Sequence, residues 1–401
     1  METLIEFYVN EQFNDLIAAV AFKPKTTVFL SGGFMPDKAT RAGMTRFIAA
    51  HGSEGAKVRF IDIGSRSIAS LLKKLEEIAA EYPGCVINMT GGPAAALVAA
   101  HRFSAKKRIR SFFFDPRRAR FVNIYGMQRE IAAAKLPKLS VKDIIAIGGG
   151  LVTGTGHSVA GLDGDLDCAK KVLGIYGANL SKWNAFAEYL QFGTRHYYDP
   201  KTQLFTAPSA VLNNSSLLWC NKKLAGLLEE AGAIKELQLD GENVSFRFKN
   251  GFFKELLTTV GMCLELFVYI SARESGAFDS VDMSVVFDWD GVIHGNFNDT
   301  VNEIDVIMTA GLSSAFVTCK SARPDTRDLY EISYLASRFG GSGAKVVLAT
   351  ATDLSGESWA IYMRAHDMGV IVIEKRDIEA GFSAVAKKLV SPTWLDERPQ
   401  N

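Results

Sequence analysis

What this 401-residue chain lacks narrows the field first. Its N-terminus, METLIEFYVNEQFNDL, has neither the basic start nor the apolar centre of a secretion signal. No apolar run reaches the roughly 20 residues of a membrane span, and the stretch around Val268 is soon interrupted by charge. Cysteine is scarce: Cys85, Cys168, Cys220, Cys263 and Cys319 are scattered, with no Cys-x-x-Cys pair. That excludes a disulfide scaffold and reads as free thiols in a reducing compartment. The six histidines show no zinc-ligand spacing. There is no internal repeat and no low-complexity tract. The expectation is a cytoplasmic protein.

Net charge is also small, at +1, so the whole molecule carries no sign of a polyanionic partner. Charge is uneven locally. Arg102, Lys106, Lys107, Arg108, Arg110, Arg117, Arg118 and Arg120 face a single acid, Asp115, across 19 residues. This stretch is either a solvated surface or a face that meets phosphates. With 48% hydrophobic and 22% charged residues the chain is globular, and its length calls for two or three domains.

The first part alternates strand and helix. Strands are predicted at residues 26–30, 57–63, 86–89 and 111–115, with helices at 38–50, 68–82 and 93–103. Such alternation means a parallel sheet with helices on both faces and ligands at the carboxyl ends of its strands. From about residue 136 the pattern changes. A helix capped by Ser140 opens it, 148–156 reads as a Gly/Thr-rich loop, and helical periods run through 183–192 and 215–231. A hairpin at 234–239 and 244–248 turns on Asp240-Gly241. Helices and a hairpin suggest a small winged-helix-like connector. From about 251 a long apolar helix, 256–273, leads into a second α/β domain. It has strands at 283–289, 304–308, 315–319, 345–349 and 370–374 and helices at 325–339 and 356–368. The boundaries read as 1–135, 136–250 and 251–401.

Two groups of residues carry chemistry. Residues two apart on a strand share a face, so Glu303 pairs with Asp305, and Thr318 with Lys320. Adjacent strands would bring carboxylate and lysine to one point, with Glu265 reaching in from an otherwise apolar helix. Carboxylates bind hard cations such as Mg²⁺ or Mn²⁺. The second group is Asn88-Met89-Thr90-Gly91-Gly92, a strand end opening into a helix. Glycines there let the backbone approach a phosphate, with hydrogen bonds added by Asn88 and Thr90. Ser31-Gly32-Gly33 lies at another strand end and would line the same pocket.

These segments resemble the CARF-domain CRISPR ancillary nucleases with a PD-(D/E)xK (restriction-endonuclease-like) domain. The resemblance rests on Gly261–Leu266, Asn302-Glu303-Ile304-Asp305-Val306, Phe316–Lys320 and Arg338-Phe339-Gly340-Gly341, and on the N-x-T-G-G turn. It implies an N-terminal Rossmann-like CARF domain that binds a cyclic oligoadenylate, the tetramer first, across a homodimer. It also implies a Mn²⁺- or Mg²⁺-dependent endonuclease cutting DNA or RNA. In that scheme Glu265 and Asp305 bind metal with the main-chain carbonyl of Cys319, and Lys320 is catalytic. Two positions depart from the pattern. Thr318 stands where an acid is expected, so either Glu331 or Glu303 replaces it or metal binding and activity are weak, leaving a sensor. Pro93-Ala94 stands where Thr-Lys is common. Arg46 and His51 match the R-x4-H spacing of HEPN ribonucleases but fall in a crossover helix of the sheet. Gly148-Gly149-Gly150 lacks the spacing of a dinucleotide or P-loop motif.

Overall fold

The computed structural model describes the chain apart from residues 10–13, 33–34, 65–66, 116–119, 128–130, 133–137, 160, 215, 296–298, 342 and 391–401. Strands β1 (Thr3–Phe7), β2 (Thr26–Ser31), β3 (Lys57–Asp62), β4 (Val86–Asn88), β5 (Ser111–Asp115), β6 (Arg120–Tyr125) and β7 (Ile131–Ala132) form one sheet. Its order is β3-β2-β1-β4-β5-β6-β7. The first five strands are parallel and the last two run antiparallel. Helices α1 (Asn14–Phe22), α2 (Lys38–His51), α3 (Ile68–Glu81) and α4 (Ala94–Lys107) make the crossovers. The chain leaves β1 toward β2 and β3, then returns to place β4 on the other side of β1. The switch point therefore lies between β1 and β4, where open α/β sheets bind ligands.

The strand at the centre of this sheet, β1, was not predicted. Glu6 interrupts its apolar run, and only 2% of Glu6 is exposed. The Asn88 amide, 82 residues away, donates to Glu6 Oε2 at 2.7 Å and makes the burial tolerable.

Next comes α5 (Val141–Ile147), capped by Ser140 and Asp143 as a reciprocal box. It is followed by β8 (Leu151–Thr155). The predicted loop is thus a strand in its centre. Its ladder partner lies some 130 residues on, so nothing local marks it. Then follow α6 (Leu162–Ala178), α7 (Leu180–Tyr197), β9 (Tyr198–Asp199), β10 (Leu204–Pro208), β11 (Ala210–Asn213), β12 (Ser216–Trp219), α8 (Lys222–Glu230), β13 (Ile234–Leu239) and β14 (Asn243–Phe248). The β13–β14 hairpin is present, extended to a four-stranded sheet by β10 and β9. The helix predicted from 215 starts only at Lys222. Residues of β12 alternate instead, with Leu218 buried and Leu217 and Trp219 exposed.

The predicted long helix is two, α9 (Gly251–Thr258) and α10 (Met262–Glu274), bent by 114°. The break falls at Gly261, whose φ is +101°. Among the described residues no single helix is long and apolar enough to cross a membrane. The remaining elements are β15 (Ser280–Asp288), β16 (Val301–Ala310), β17 (Ser313–Lys320), α11 (Thr326–Gly340), β18 (Lys345–Thr350), α12 (Leu354–Glu357), α13 (Trp359–Asp367), β19 (Ile371–Ile373), α14 (Lys375–Glu379) and α15 (Phe382–Leu389). They build a mixed sheet of order β19-β18-β17-β16-β15-β8. Its α10 face packs Leu266 and Ile270 with Val306, Met308 and Val317. The other face packs α5 and α11, with Ile307, Phe316 and Phe339 in one core shared with Phe29, Met44 and Phe47 of the first sheet. The two sheets are therefore welded through α2, α5 and α11. The seam is tight: a Cβ on Gly43 of α2 would stand 1.6 Å from the Ala146 carbonyl oxygen of α5. His51, the second half of the R-x4-H match, sits in this seam with its ring 3.4 Å from the Asp143 carboxylate.

Candidate functional site

The turn after β4 is built to hold its own shape. The Asn88 side-chain oxygen accepts from the Thr90 N–H at 3.0 Å and from the Thr90 hydroxyl, while its amide donates to Glu6. The Thr90 hydroxyl oxygen accepts from the Phe114 N–H at 2.8 Å, tying β4 to β5. The polar side chains of Asn88 and Thr90 are thus directed into the protein. Gly91 and Gly92 offer only backbone, and among the described residues their N–H groups take no hydrogen bond. Gly92 has φ +137°, and a Cβ there would come within 2.9 Å of Phe7 Cβ. Free N–H groups beside the start of α4 are the kind of donors an anion takes.

The turn after β2 joins the same place. A Cβ on Gly32 would lie 3.3 Å from Pro93 Cγ, and Ser31 is buried at the end of its strand. Gly33 lies outside the described residues. The basic run divides. Lys106, Lys107, Arg108 and Arg110 are exposed at the far end of α4, opposite the turn, where Lys107 pairs with Glu76 at 3.0 Å. Arg120 instead opens β6 opposite Asp115, at the carboxyl end of β5. Arg117 and Arg118 lie outside the described residues.

The second site forms where two strands part. The β16–β17 ladder runs from Ala310/Ser313 to Val306/Val317 and ends there. Beyond that point the Asp305 carboxylate takes over as acceptor: its Oδ2 receives the Cys319 N–H at 2.5 Å and the Thr318 hydroxyl at 3.3 Å. Thr318 thus serves Asp305. The opening between the strands and α11 is a cleft of about 90 Å³, large enough for a few waters or an ion. Glu303, Asp305, Thr318 and Lys320 line it together, joined by Asp328 and Glu331. Asp328 was not foreseen. Its Oδ1 holds the Lys320 ammonium at 3.0 Å, and its Oδ2 accepts the Asp325 N–H at 2.7 Å as half of the capping box of α11. The Asp-x-x-Asp spacing at a helix start was the available signal.

Glu265 comes from α10, on the opposite face. It does not line the cleft, but it feels the charges of Asp305, Glu303 and Lys320. Burial first, then Asp305 and Glu303, push its carboxyl up to about 8, against the pull of Lys320. Its Oε2 is buried with no hydrogen-bond partner. Burial also raises Asp305, although the Cys319 N–H and Lys320 oppose it. Burial works against the charge on Lys320, but the bond to Asp328 and the charges of Asp328, Asp305 and Glu331 outweigh it and hold the ammonium above its ordinary value. Carboxylates outnumber cations here, and a hard cation would relieve both the crowding and the orphan Oε2. Among the described residues no three of His, Cys, Asp or Glu converge to ligating distance. The donors fit such an ion in kind, as two carboxylates and a main-chain carbonyl.

The two sites are bridged. Arg338, in the last turn of α11, bonds at 3.1 Å to Asp37, which is the N-cap of α2 and follows closely on the Ser31-Gly32 turn. Burial alone would raise Asp37, but the Thr40 N–H and the Arg338 charge pull its carboxyl below the ordinary value. Arg338 also lies over the Trp289 ring.

No family profile matches the sequence, and no curated protein matches it. Solved structures do. Protein VC1899 from Vibrio cholerae superposes with a TM-score of 0.74 at 14% identity, covering 96% of this chain and 97% of that one. Can2 from Sulfobacillus thermosulfidooxidans, solved in complex with cyclic tetra-adenylate, gives 0.67 at 16% identity, covering 98% and 97%. Over almost its whole length, then, the chain has the fold of VC1899 and Can2, two α/β units built on the two large sheets described above.

Proposed function

We propose that this chain is a nuclease switched on by a cyclic oligoadenylate, of the kind found among CRISPR ancillary nucleases with a CARF sensor. The observation that carries the reading is the pairing of two sites in one chain. A backbone-lined anion turn stands at the switch point of one sheet, and a cleft of carboxylates with a lysine stands where the strands of the other sheet part. The cyclic tetra-adenylate in the Can2 complex favours the tetramer as activator. A ring with rotational symmetry is best met by two identical turns, so the working unit is a homodimer paired through the first sheet.

Glu265, Asp305 and the carbonyl of Cys319 would hold Mn²⁺ or Mg²⁺. When bound, such an ion activates water and offsets charge on the phosphate. The chain supplies the rest. The Cys319 N–H and the Thr318 hydroxyl orient Asp305. Asp328 holds Lys320 charged and in place, so that its ammonium faces the charge developing on the phosphate oxygens. Glu303 and Glu331 border the cleft where an acid is missing at 318. The Arg338–Asp37 bond supports gating, because a ligand at the Ser31-Gly32 turn acts on the start of α2 and thereby on α11, which carries Asp328.

Thr318 favours a second reading, in which the chain binds the activator but cuts weakly or not at all. The deciding experiment incubates the purified protein with Mn²⁺, supercoiled plasmid or single-stranded RNA, and each cyclic oligoadenylate in turn. Activator-dependent cleavage is expected. Tight activator binding with no cleavage of either substrate would establish the second reading in its place.

A further inference from the structure

Outside both sites, an open recess of about 630 Å³ lies between the start of α7, the β11–β12 hairpin and the start of α8. Its volume falls in the ~300–1,000 Å³ range typical of small-ligand sites. Trp219 forms one wall and is 62% exposed, an unusual position for an indole. The hairpin is rooted through Val211 and Leu218, which are buried, so Trp219 stands on a fixed support. Lys182 and Lys222 border the recess and, among the described residues, no carboxylate does. The Lys222 ammonium is held at 3.1 Å by the Gly241 carbonyl oxygen. The Lys182 ammonium has no hydrogen-bond or ion-pair partner among the described residues. In a chain of net charge +1, two lysines without an acid beside an exposed indole form a local exception.

The helix that borders the recess also reaches the end of the lysine-bearing strand. Ser181, Asn184 and Ala185 share one face of α7. Asn184 donates to the carbonyl oxygen of Ser321 at 2.7 Å, and Ser321 directly follows Lys320. About one helical turn therefore separates the recess from the end of the lysine-bearing strand.

We propose that this recess binds an unpaired nucleotide of a nucleic-acid strand. The base stacks on Trp219, and the flanking phosphates meet Lys182 and Lys222. An indole offers a π-face to any base and lysines bind phosphate without reading sequence, so the site grips single strands generally. The inference rests on the nuclease reading only in naming that strand as the substrate.

The test uses the full chain in EDTA, so that binding is read without cleavage, with fluorescein-labelled oligothymidylate and oligouridylate in separate anisotropy titrations. Trp219→Ala should weaken binding roughly ten-fold, in line with the loss of one stacked base. Trp219→Phe should restore most of it. The Lys182→Glu, Lys222→Glu double variant should weaken it further and flatten the salt dependence by about 0.7 in slope per lost contact. The altered side chains are exposed, and matching thermal melts would verify the fold. Unchanged affinity in the Ala and double-Glu variants, or no strand binding by the parent protein, overturns the proposal. So does a Trp219→Ala protein that loses self-association in sedimentation while keeping its nucleic-acid affinity, since the hairpin, with Leu212 and Leu217 exposed beside it, would then dock a second copy. If no condition gives cleavage yet Trp219→Ala loses strand binding, the recess stands and the nuclease reading falls.

Discussion

The turn at Asn88–Gly92 and the cleft at Asp305–Lys320 are built on opposite principles. At the turn each polar side chain has a protein partner: Glu6 serves Asn88, Asn88 serves Thr90, and Thr90 serves Phe114. Folding alone fixes its shape and leaves the Gly91 and Gly92 N–H groups without an acceptor among the described residues. At the cleft four carboxylates, Glu303, Asp305, Asp328 and Glu331, share one strongly engaged lysine, and Glu265 behind it keeps a buried oxygen with no partner. A recognition surface gains from being pre-formed, because a ligand then costs little ordering. A reacting centre instead keeps charge that the protein does not compensate, which moves its proton affinities away from their ordinary values.

The contrast breaks most sharply at Asp305 and Lys320. Asp305→Ala removes the acceptor that replaces the ladder, and Lys320→Ala removes the lysine that lines the cleft. Each should lower activator-dependent plasmid nicking by more than about a hundred-fold, as loss of a group that stabilises developing charge does. Affinity for cyclic tetra-adenylate should stay as it was in calorimetric titration. Retained nicking by the Asp305→Ala protein, purified free of host nucleases, would remove the cleft as the reacting centre.

The complementary break is Gly91→Asp, which puts a carboxylate where phosphate is expected. Activator affinity should fall at least about a hundred-fold, since like charges at close range cost several kcal/mol. The melting temperature should barely move, and any metal-dependent cleavage independent of activator should persist. An unaltered titration would separate the turn from ligand binding.

Arg338→Ala probes the bridge between the regions. An ion pair with exposed edges contributes little to stability, about 0–1 kcal/mol, so the fold should hold. Activation at saturating ligand should drop by roughly two- to five-fold, the size of that same interaction. Equal stimulation of variant and parent would show that the Asp37 contact carries no signal.

The last break concerns protons and is read in stability, not in activity. Glu265 has an ordinary value of 4.5 and stands at about 8 in the folded chain. Between those values the folded protein holds a proton that the unfolded chain has released, so stability declines as pH rises across the window. Melting curves in EDTA should fall more steeply from pH 5 to 8 for the parent than for Glu265→Gln. Parallel curves would place Glu265 in a less perturbed setting.

The sequence by itself determined the alternating strands and helices of the first sheet from β2 to β5, the Asp240-Gly241 hairpin and the Ser140 cap. Their signals sit within a few residues: apolar periodicity, a turn dipeptide, a hydroxyl before a helix. It also put Glu303, Asp305, Thr318 and Lys320 at the spacing that lets them meet, because strand geometry repeats every two residues. Only the tertiary structure decided the rest. It made Glu6 a buried residue of the central strand, because Asn88 reaches it. It turned residues 151–155 into a strand, because β15 offers a ladder. It bent the helix at Gly261, gave Thr318 to Asp305, and brought Arg338 to Asp37 across 301 residues. Apart from the bend at Gly261, each of these depends on a partner on another element of the chain. Hydrogen bonding and charge act through space at about 3 Å, and no local pattern records which distant group will stand there.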